Sequence, residues 1–235
     1  MRMLTVALLF VSASLLAGCP TESSNDIATD ALYVAYRITE VGDVVLVRAE
    51  FRVGNPLGTL LELGGGDALR VNDTALAYSD LLIPHYEGTL MPAESYSFVL
   101  TRPGEEPYTS TVSAPTALTI TSPAPDDELS RSADFTVTWD DPASTGVYFT
   151  SVGVFAQGCG IFVGEFVMDA TTFTFAASDF MEPTEDGEGM QSVCDGETLA
   201  AELSVESALS GTLAEGLDGA ISSHARTLIN VTLTP

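Results

Sequence analysis

The sequence contains no lysine, and all eight of its basic residues are arginines. Against them stand 33 acidic residues, which give a formal net charge of −25 at pH 7. Nucleic acid repels a chain of this charge, so the composition argues against a nucleic-acid partner. Hydrophobic residues nevertheless make up 46% of the chain, which excludes a disordered acidic tail and indicates a folded protein.

The sequence also has only two histidines, and no motif places either of them in a catalytic site. His85 lies in an Ile-Pro-His-Tyr stretch typical of a loop, and His224 lies in the last predicted strand beside Ser223. There is no Gly-x-Ser-x-Gly elbow, no Cys-x-x-Cys and no phosphate-binding glycine loop. We therefore predict that His224 is a solvated or hydrogen-bonded strand histidine, that the chain has no catalytic residue and that it is not an enzyme.

Clusters of acidic residues occur at 126–128, 140–141 and 182–188, and carboxylates in loops suit calcium. None of these clusters has the Asp-x-Asp-x-Asp-Gly spacing of a dedicated calcium loop, and so acidic a chain produces such clusters by composition alone. The two scattered histidines give no zinc-ligand spacing. We predict no metal site and no cofactor.

A short apolar segment near the N-terminus ends in Leu-Ala-Gly-Cys at residues 16–19. Arg2 precedes an apolar run over residues 4–16, which is too short to span a bilayer. All four positions match the bacterial lipoprotein signal, and the segment resembles that family. The resemblance implies that residues 1–18 are a cleaved signal peptide, that Cys19 carries the lipid, and, since Pro20 and not aspartate follows, that the protein goes to the outer membrane. The alternative is a plain secreted protein with a chance cysteine at position 19.

The two remaining cysteines are Cys159 and Cys194. Export places them in an oxidising compartment, where disulfides form and persist. We predict a Cys159–Cys194 disulfide, which would contribute about 3–4 kcal/mol by closing a loop of roughly 35 residues. Two separate buried thiols are the alternative.

Residues 19–29 are small, polar and turn-prone, and they predict a flexible tether. From residue 31 onwards the hydrophobic pattern has a period of two, which is typical of half-buried strands. The clearest case is residues 43–53, where five apolar side chains fall on one face: Val45, Val47, Ala49, Phe51 and Val53. Further strands are predicted at 32–38, 59–63, 68–71, 95–101 and 108–112. These short strands predict a β-sandwich over residues 30–114.

A second unit begins at residue 115, and its strands are predicted at 135–139, 147–155, 161–167, 171–175 and 221–233. Residues 199–205 fit either a strand or a short helix. The string Ile-Thr-Ser-Pro followed by Phe-Thr-Val-Thr-Trp, over residues 120–139, resembles the opening of bacterial immunoglobulin-like or fibronectin-III-like domains. Because Trp139 precedes both cysteines, the immunoglobulin disulfide pattern does not apply. The resemblance implies a second antiparallel β-sandwich over residues 115–235, and an all-β chain of two consecutive Ig-like domains.

Taken together, these patterns predict a non-enzymatic lipoprotein of the bacterial cell envelope, held to the membrane by its lipid anchor and acting as a structural or interaction module. A protein or a glycan of the envelope is the expected partner. Tyr78, Tyr86 and Tyr108 could stack on sugar rings, although core packing is the commoner role for tyrosine. The alternatives are an envelope hydrolase that uses His224 and an accessory subunit of an outer-membrane complex.

Overall fold

The computed structural model describes residues 22–81, 83–141, 149–156, 161–168, 170–183, 190–192 and 196–235. Cys19, Cys159 and Cys194 lie outside these residues, so the lipid attachment and the disulfide stay predictions. The described part of the chain is built from strands joined by turns and short 3₁₀ segments, and none of its helices is long and apolar enough to cross a membrane.

The strands, numbered in chain order, are β1 (Glu22–Ser23), β2 (Leu32–Val41), β3 (Val44–Val53), β4 (Leu61–Glu62), β5 (Ala68–Val71), β6 (Thr74–Ala75), β7 (Ala77–Ser79), β8 (His85–Leu90), β9 (Ser95–Thr101), β10 (Tyr108–Ser113), β11 (Ile120–Ser122), β12 (Glu128–Ser130), β13 (Phe135–Trp139), β14 (Phe149–Ala156), β15 (Ile161–Val167), β16 (Thr172–Phe175), β17 (Met181–Pro183), β18 (Met190–Ser192), β19 (Leu199–Ser210) and β20 (Asp218–Thr234).

One large sheet of nine strands runs through the whole molecule in the order β15-β14-β19-β20-β2-β3-β8-β7, with β12 also paired to β20. Most neighbours are antiparallel, but β20 runs parallel to β2 over nine residue pairs, from Tyr33↔Asp218 to Val41↔Arg226. The last strand of the chain thereby joins the first long one. The sheet is mixed, in contrast to the purely antiparallel pairing expected from the sequence.

Two smaller sheets cover one side of this large sheet. The sheet β10-β9-β5-β6 packs over β2 and β3 and closes a first hydrophobic core. The sheet β11-β13-β16 packs over β14 and β19 and closes a second. Strand β20 serves both cores, because Ile221 belongs to the first, and Val231 and Leu233 belong to the second. The predicted all-β sandwich architecture is confirmed, whereas the division into domains at residues 114 and 115 stays a prediction.

The alternation of side chains explains why these segments form strands of a sandwich. In β3, Val45, Val47, Ala49 and Phe51 are buried, and the residues between them face outwards. Alternate residues of a strand point to opposite faces, so a period of two buries one complete face. The first core is completed by an offset stack of Tyr36 on Phe98, with ring centroids 4.5 Å apart and planes at 4°.

The structure decides one open alternative and corrects one local prediction. Residues 199–205, which also fit a helix, form part of the twelve-residue strand β19, where Leu199, Ala201, Leu203 and Val205 face the second core. His85 does not lie in a loop but begins β8, directly after Pro84. Tertiary pairing decides both cases, because a short apolar pattern alone does not choose between conformations.

The N-terminal segment is packed, contrary to the tether prediction for its part within residues 22–29. Strand β1 pairs with β4, and Ser24 and Thr29 are buried. The guanidinium of Arg102 donates to Thr29 Oγ1 at 2.7 Å and to the carbonyls of Ser24 and Ile27 at 2.9 Å each. We call residues 22–31 the docked segment. A polar segment forms a flexible tether only when no buried side chain binds it. The sequence does not show that Arg102 binds this one.

Candidate functional site on the outer face of the large sheet

The side of the large sheet that faces away from both cores is called the outer face. Directly paired residues of neighbouring strands lie on the same face, so the strand register identifies the residues of the outer face. One cross-strand row consists of Phe166, Ser151, Glu206, Arg226 and Val41. Two other rows complete the centre of the face. They consist of Gly164, Gly153 and Ser204, and of Ser222, Arg37, Arg48 and Glu87.

Most of the arginines that the structure describes lie on this face, and carboxylates of the same face pair with three of them. Of the seven arginines within the described residues, four lie here: Arg37, Arg48, Arg52 and Arg226. The other three serve the fold or a turn, since Arg102 and Arg131 are buried and Arg70 donates to the carbonyl of Asp73. Both histidines also lie on the outer face. A chain of net charge −25 therefore presents most of its accessible positive groups on one surface.

At the centre of the face, His224 connects a carboxylate to a hydroxyl. Its Nδ1 lies 2.8 Å from Glu206 Oε1, and its Nε2 lies 3.0 Å from Ser222 Oγ. Because a carboxylate can only accept, Nδ1 carries a proton and donates it to Glu206. In the neutral ring, Nε2 then accepts from the Ser222 hydroxyl. Sequence inspection paired His224 with its neighbour Ser223, but Ser223 points to the opposite face, where it donates to the carbonyl of Ser113 at 2.5 Å.

Arg37 closes the top of this arrangement. Its side chain crosses over β20 from β2 and places Nη2 at 3.1 Å from Glu206 Oε1 on β19. The same Nη2 approaches His224 Nδ1 to 3.5 Å, but both atoms are donors, so this is a close approach and not a hydrogen bond. The arginine covers the imidazole, which is 5% exposed. We call Arg37, Glu206, Ser222 and His224 the outer-face network.

The electrostatics of Glu206 follow from these neighbours. Burial by itself would raise the pKa of the Glu206 carboxyl. The hydrogen bond from His224, and the positive charges of His224, Arg37 and Arg226, oppose this effect and hold the pKa of Glu206 below its ordinary value. Glu206 is therefore a charged acceptor at neutral pH that orients both the imidazole and the Arg37 guanidinium.

A cavity of about 480 Å³ lies beside the network, on the side of β14 and β15. Its volume falls within the range of about 300–1,000 Å³ that is typical of ligand sites. Arg37, Glu206, His224 and Arg226 line one side, and Phe166 lines the other. A second depression of about 700 Å³ continues from Arg37 towards β7 and β8, so Arg37 stands between the two.

His85 lies at the far end of the second depression and is held by its own strand. Its Nδ1 is 2.6 Å from the carbonyl oxygen of Ile83, and its Nε2 is 3.2 Å from Glu87 Oε2. Glu87 stands opposite Arg48 in the ladder between β3 and β8. The two histidines of the chain thus belong to separate parts of the same face.

Three structural features test the hydrolase alternative. The Ser222–His224–Glu206 distances fit a nucleophile, a base and an orienting carboxylate. However, β20 is paired on both sides at residues 222–226, so the ladders occupy the backbone N–H groups that would form an oxyanion hole. Glu165, which also lines the cavity, is paired with Val152 and so belongs to the core-facing side. The register therefore places Glu206 beside His224, and it places Glu165 on the opposite side of the sheet.

Two carboxylates of the acidic clusters singled out in the sequence bind backbone N–H groups. Asp127 accepts from the N–H of Ala124 at 2.8 Å, and Asp140 accepts from the N–H of Thr119 at 2.7 Å. Residues 184–188 lie outside the described residues. Within the described ranges, no group of three or more His, Cys, Asp or Glu residues could hold a metal ion.

The three tyrosines considered for sugar stacking do not form a platform. Tyr86 is buried, packs on Tyr78 with ring centroids 5.3 Å apart, and accepts from the N–H of Leu63. Tyr108 donates to Glu105 Oε2 at 2.7 Å. The most exposed aromatic ring beside a described cavity is instead that of Phe166, which is 74% exposed.

The site could have been found only in part from the sequence. Polar residues alternate at Ser222, His224 and Arg226 and at Ser204 and Glu206, which indicates two strands with a polar face. That β2 pairs with β20, and so brings Arg37 to Glu206 across 169 residues of sequence, leaves no local signal.

No family model matches the chain, and no curated protein matches it. A search of solved structures gave a match titled "Structures of Clostridium thermocellum CbhA fibronectin(III)-like modules". It is 14% identical, covers 86% of this chain and 93% of that chain, and has a TM-score of 0.24. Similarity this low carries no argument about fold or function, so the fold class rests on the strands and sheets described above.

Proposed function

We propose that this chain is a lipid-anchored, non-enzymatic module of a bacterial cell envelope, attached to the outer membrane through Cys19, and that it makes its contacts through the outer face. The observation that carries the contact role is the concentration of four arginines and both histidines, with two open depressions, on one surface of an acidic protein. Polar and charged groups arranged on one surface give an interface its specificity.

The docked segment supports a position close to the membrane. Only residues 20 and 21 separate Cys19 from strand β1. Consecutive Cα atoms are 3.8 Å apart, so the three steps from residue 19 to residue 22 span at most about 11 Å. A lipid on Cys19 would therefore hold the folded protein at the membrane surface, which favours contacts within the envelope over a long-reaching spacer.

The anchor is tested by replacing Cys19 with serine and following the protein in cells fed an alkyne-labelled fatty acid. We expect wild type to be labelled and to sediment with membranes, because several acyl chains give stable anchoring. The Cys19→Ser variant should be unlabelled and soluble. A Pro20→Asp variant is the matched control, expected to keep its label but to move to the inner membrane. A Cys19→Ser variant that stays in the membrane fraction with unchanged mobility contradicts the anchor.

The Cys159–Cys194 disulfide is the second part of this proposal. Alkylation of the unfolded protein without reductant, followed by mass spectrometry of its peptides, tests it. We expect one cross-linked peptide pair containing Cys159 and Cys194. Free, alkylated thiols at both positions contradict the bridge.

A hydrolase is the second candidate, favoured by the Ser222–His224–Glu206 distances. In that case the Ser222 oxygen would attack an ester carbonyl while its proton passes to His224. The ester C–O bond would then break as His224 gives that proton to the departing alcohol, and water would remove the acyl group from Ser222. An ester such as p-nitrophenyl acetate tests this with wild type and Ser222→Ala. The proposed non-enzymatic role predicts equal rates for the two proteins. A rate that falls at least about a hundredfold in Ser222→Ala would establish the hydrolase and contradict the module.

A further inference from the structure

Two connections at one end of the large sheet carry exposed apolar side chains. The turn after β3 presents Leu57, which is 93% exposed, and the connection from β7 to β8 presents Leu81, which is 73% exposed. Strands β3 and β8 are antiparallel neighbours, with Ala49 opposite Tyr86, so the end of β3 and the beginning of β8 lie at the same end of the sheet. Neighbouring strands are about 4.8 Å apart, and the two connections therefore adjoin each other. We call Leu57, Leu81 and the exposed Ile83 the apolar tip.

The docked segment lies against the turn that carries Leu57. The N–H of Gly54 donates to the carbonyl of Ala31 at 2.8 Å, and the N–H of Glu22 donates to the carbonyl of Leu60 at 3.0 Å. Strand β1 runs parallel to β4, which comes shortly after that turn, so the chain enters β1 from the side of the turn. Residue 19 lies at most about 11 Å from residue 22, and a lipid on Cys19 would therefore be held beside the apolar tip.

From residue 55 to residue 58, this turn already bonds its backbone N–H groups internally. Leu57 donates its N–H to Asn55 Oδ1, and Gly58 donates its N–H to the carbonyl of Asn55, each at 2.9 Å. Asn55 itself donates to the carbonyl of Val53 at 2.8 Å. Pro56 has no N–H group. Because a polar group without a partner opposes transfer out of water, a turn with bonded donors is suited to an apolar environment.

The charges near the apolar tip restrict the kind of surface that it fits. No charged residue occurs between Arg52 and Glu62, although the chain has 33 acidic residues. Carboxylates of the docked segment, of β4 and of the position before Leu81 are nevertheless exposed, at Glu22, Asp26, Asp30, Glu62 and Asp80. Charged groups stay hydrated at the surface of a bilayer, so these carboxylates limit the tip to a shallow depth. They also disfavour anionic lipids, because like charges repel.

We infer that the apolar tip enters the headgroup and acyl-chain boundary of a zwitterionic phospholipid bilayer, the one that holds the lipid of Cys19. Exposed apolar patches mark interaction sites, and apolar side chains bind a bilayer by shallow burial at this boundary. Strands β2 and β3 then run away from the membrane, and the outer face stays accessible to partners beside the protein. The inference rests on the proposed lipid attachment and names the surface by which the protein touches the membrane.

The test adds one tryptophan to the lipidated full-length chain in phosphatidylcholine vesicles whose acyl chains carry bromine, which quenches tryptophan on contact. Leu57→Trp and Leu81→Trp probe the apolar tip. Met91→Trp is the matched control, since Met91 is 76% exposed and follows the opposite end of β8. The natural Trp139 is buried in the second core and gives a constant background.

We expect the tryptophans at positions 57 and 81 to emit at shorter wavelength in vesicles and to lose fluorescence in brominated ones, because they leave water for the bilayer interface. Bromine near the glycerol end of the acyl chains should quench more than bromine near the methyl end, since the insertion is shallow. Met91→Trp should show neither change beyond that of wild type. Circular dichroism checks that each variant is folded. Equal quenching at positions 57 and 91, or quenching at none of the three positions, overturns the inference.

Mass spectrometry of the same preparations separates this inference from the proposed function. A lipidated chain whose tip tryptophans are not quenched keeps its anchor, and its apolar tip then fits a protein partner and not a bilayer. A chain without lipid on Cys19 overturns the anchor, and the inference about the apolar tip falls with it.

Discussion

Two groups of polar side chains in this protein differ in what they bind. The first group consists of buried or half-buried side chains that bond to backbone carbonyls of distant segments. Ser207 donates to the carbonyl of Thr116 at 2.9 Å, Thr227 to that of Leu118 at 2.6 Å, and Ser223 to that of Ser113. The second group is the outer-face network, whose members bond to one another.

The difference separates stability from recognition. Side chains of the first group fix the segment 113–118 onto the hairpin β19–β20, and their loss would remove the hydrogen bonds that hold it there. Side chains of the second group are supported by the sheet but support no other segment. The account therefore predicts large stability losses in the first group and small ones in the second.

The largest effect is expected for Arg102, which holds the docked segment. Its Nε lies 3.3 Å from Asp67 Oδ2, and both side chains are almost fully buried. Arg102→Met should destabilise the protein by about 3–5 kcal/mol, because it leaves Asp67 buried without its cation. Arg70→Met, which changes an exposed arginine, should cost less than about 1 kcal/mol. Urea denaturation measures both, and equal losses contradict the special role of Arg102.

An intermediate effect is expected for two neighbouring serines of β20 that face opposite sides. Ser223→Ala should cost about 1–2 kcal/mol, because the fully buried Ser223 loses its hydrogen bond to the carbonyl of Ser113. Ser222→Ala should cost less, about 0.5–1 kcal/mol, because Ser222 is only half-buried and His224 keeps its hydrogen bond to Glu206. Thermal denaturation of both variants compares them. A Ser222→Ala variant that loses more stability than Ser223→Ala would break the distinction between the groups.

The smallest effect concerns Glu206 and depends on pH. Its folded-state pKa is lowered, so its contribution to stability is fully present above the unfolded value of about 4.3 and is lost as the pH falls through the folded value. Wild type should therefore lose more stability than Glu206→Gln between pH 6 and pH 3. Glu202→Gln, on the same face, is the control. Parallel pH profiles for wild type and Glu206→Gln would contradict the coupling to His224 and the arginines.

The sequence predicted the strands better than their assembly. Alternation located β3, β5, β9, β13 and β15 almost to the residue, because one buried face imposes a period of two. It did not predict that β20 would pair with β2, since residues far apart in sequence leave no local pattern. The packed state of residues 22–29 was missed for the same reason, because Arg102 is distant from them.

The residues of the site, like the strands, could be predicted only where the sequence pattern is local. Of the two states predicted for His224, solvated or hydrogen-bonded, the structure shows the hydrogen-bonded one, with contacts to Glu206 and Ser222. The partners themselves could not be named, because Glu206 and Arg37 reach His224 only through the order of strands in the sheet. Ser223 is next to His224 in sequence, but Ser222 is its partner in space. The reason is that alternate residues of a strand point to the same face.

The central claim, that the outer face is the contact surface in the envelope, is tested most directly by photo-crosslinking in intact cells. A photoreactive amino acid is placed at Thr89, an exposed strand residue of the outer face, or at Thr109, an exposed strand residue of the four-stranded sheet. The account predicts adducts from position 89 and none above background from position 109. Adducts from position 109 alone, or equal adducts from both, would contradict it.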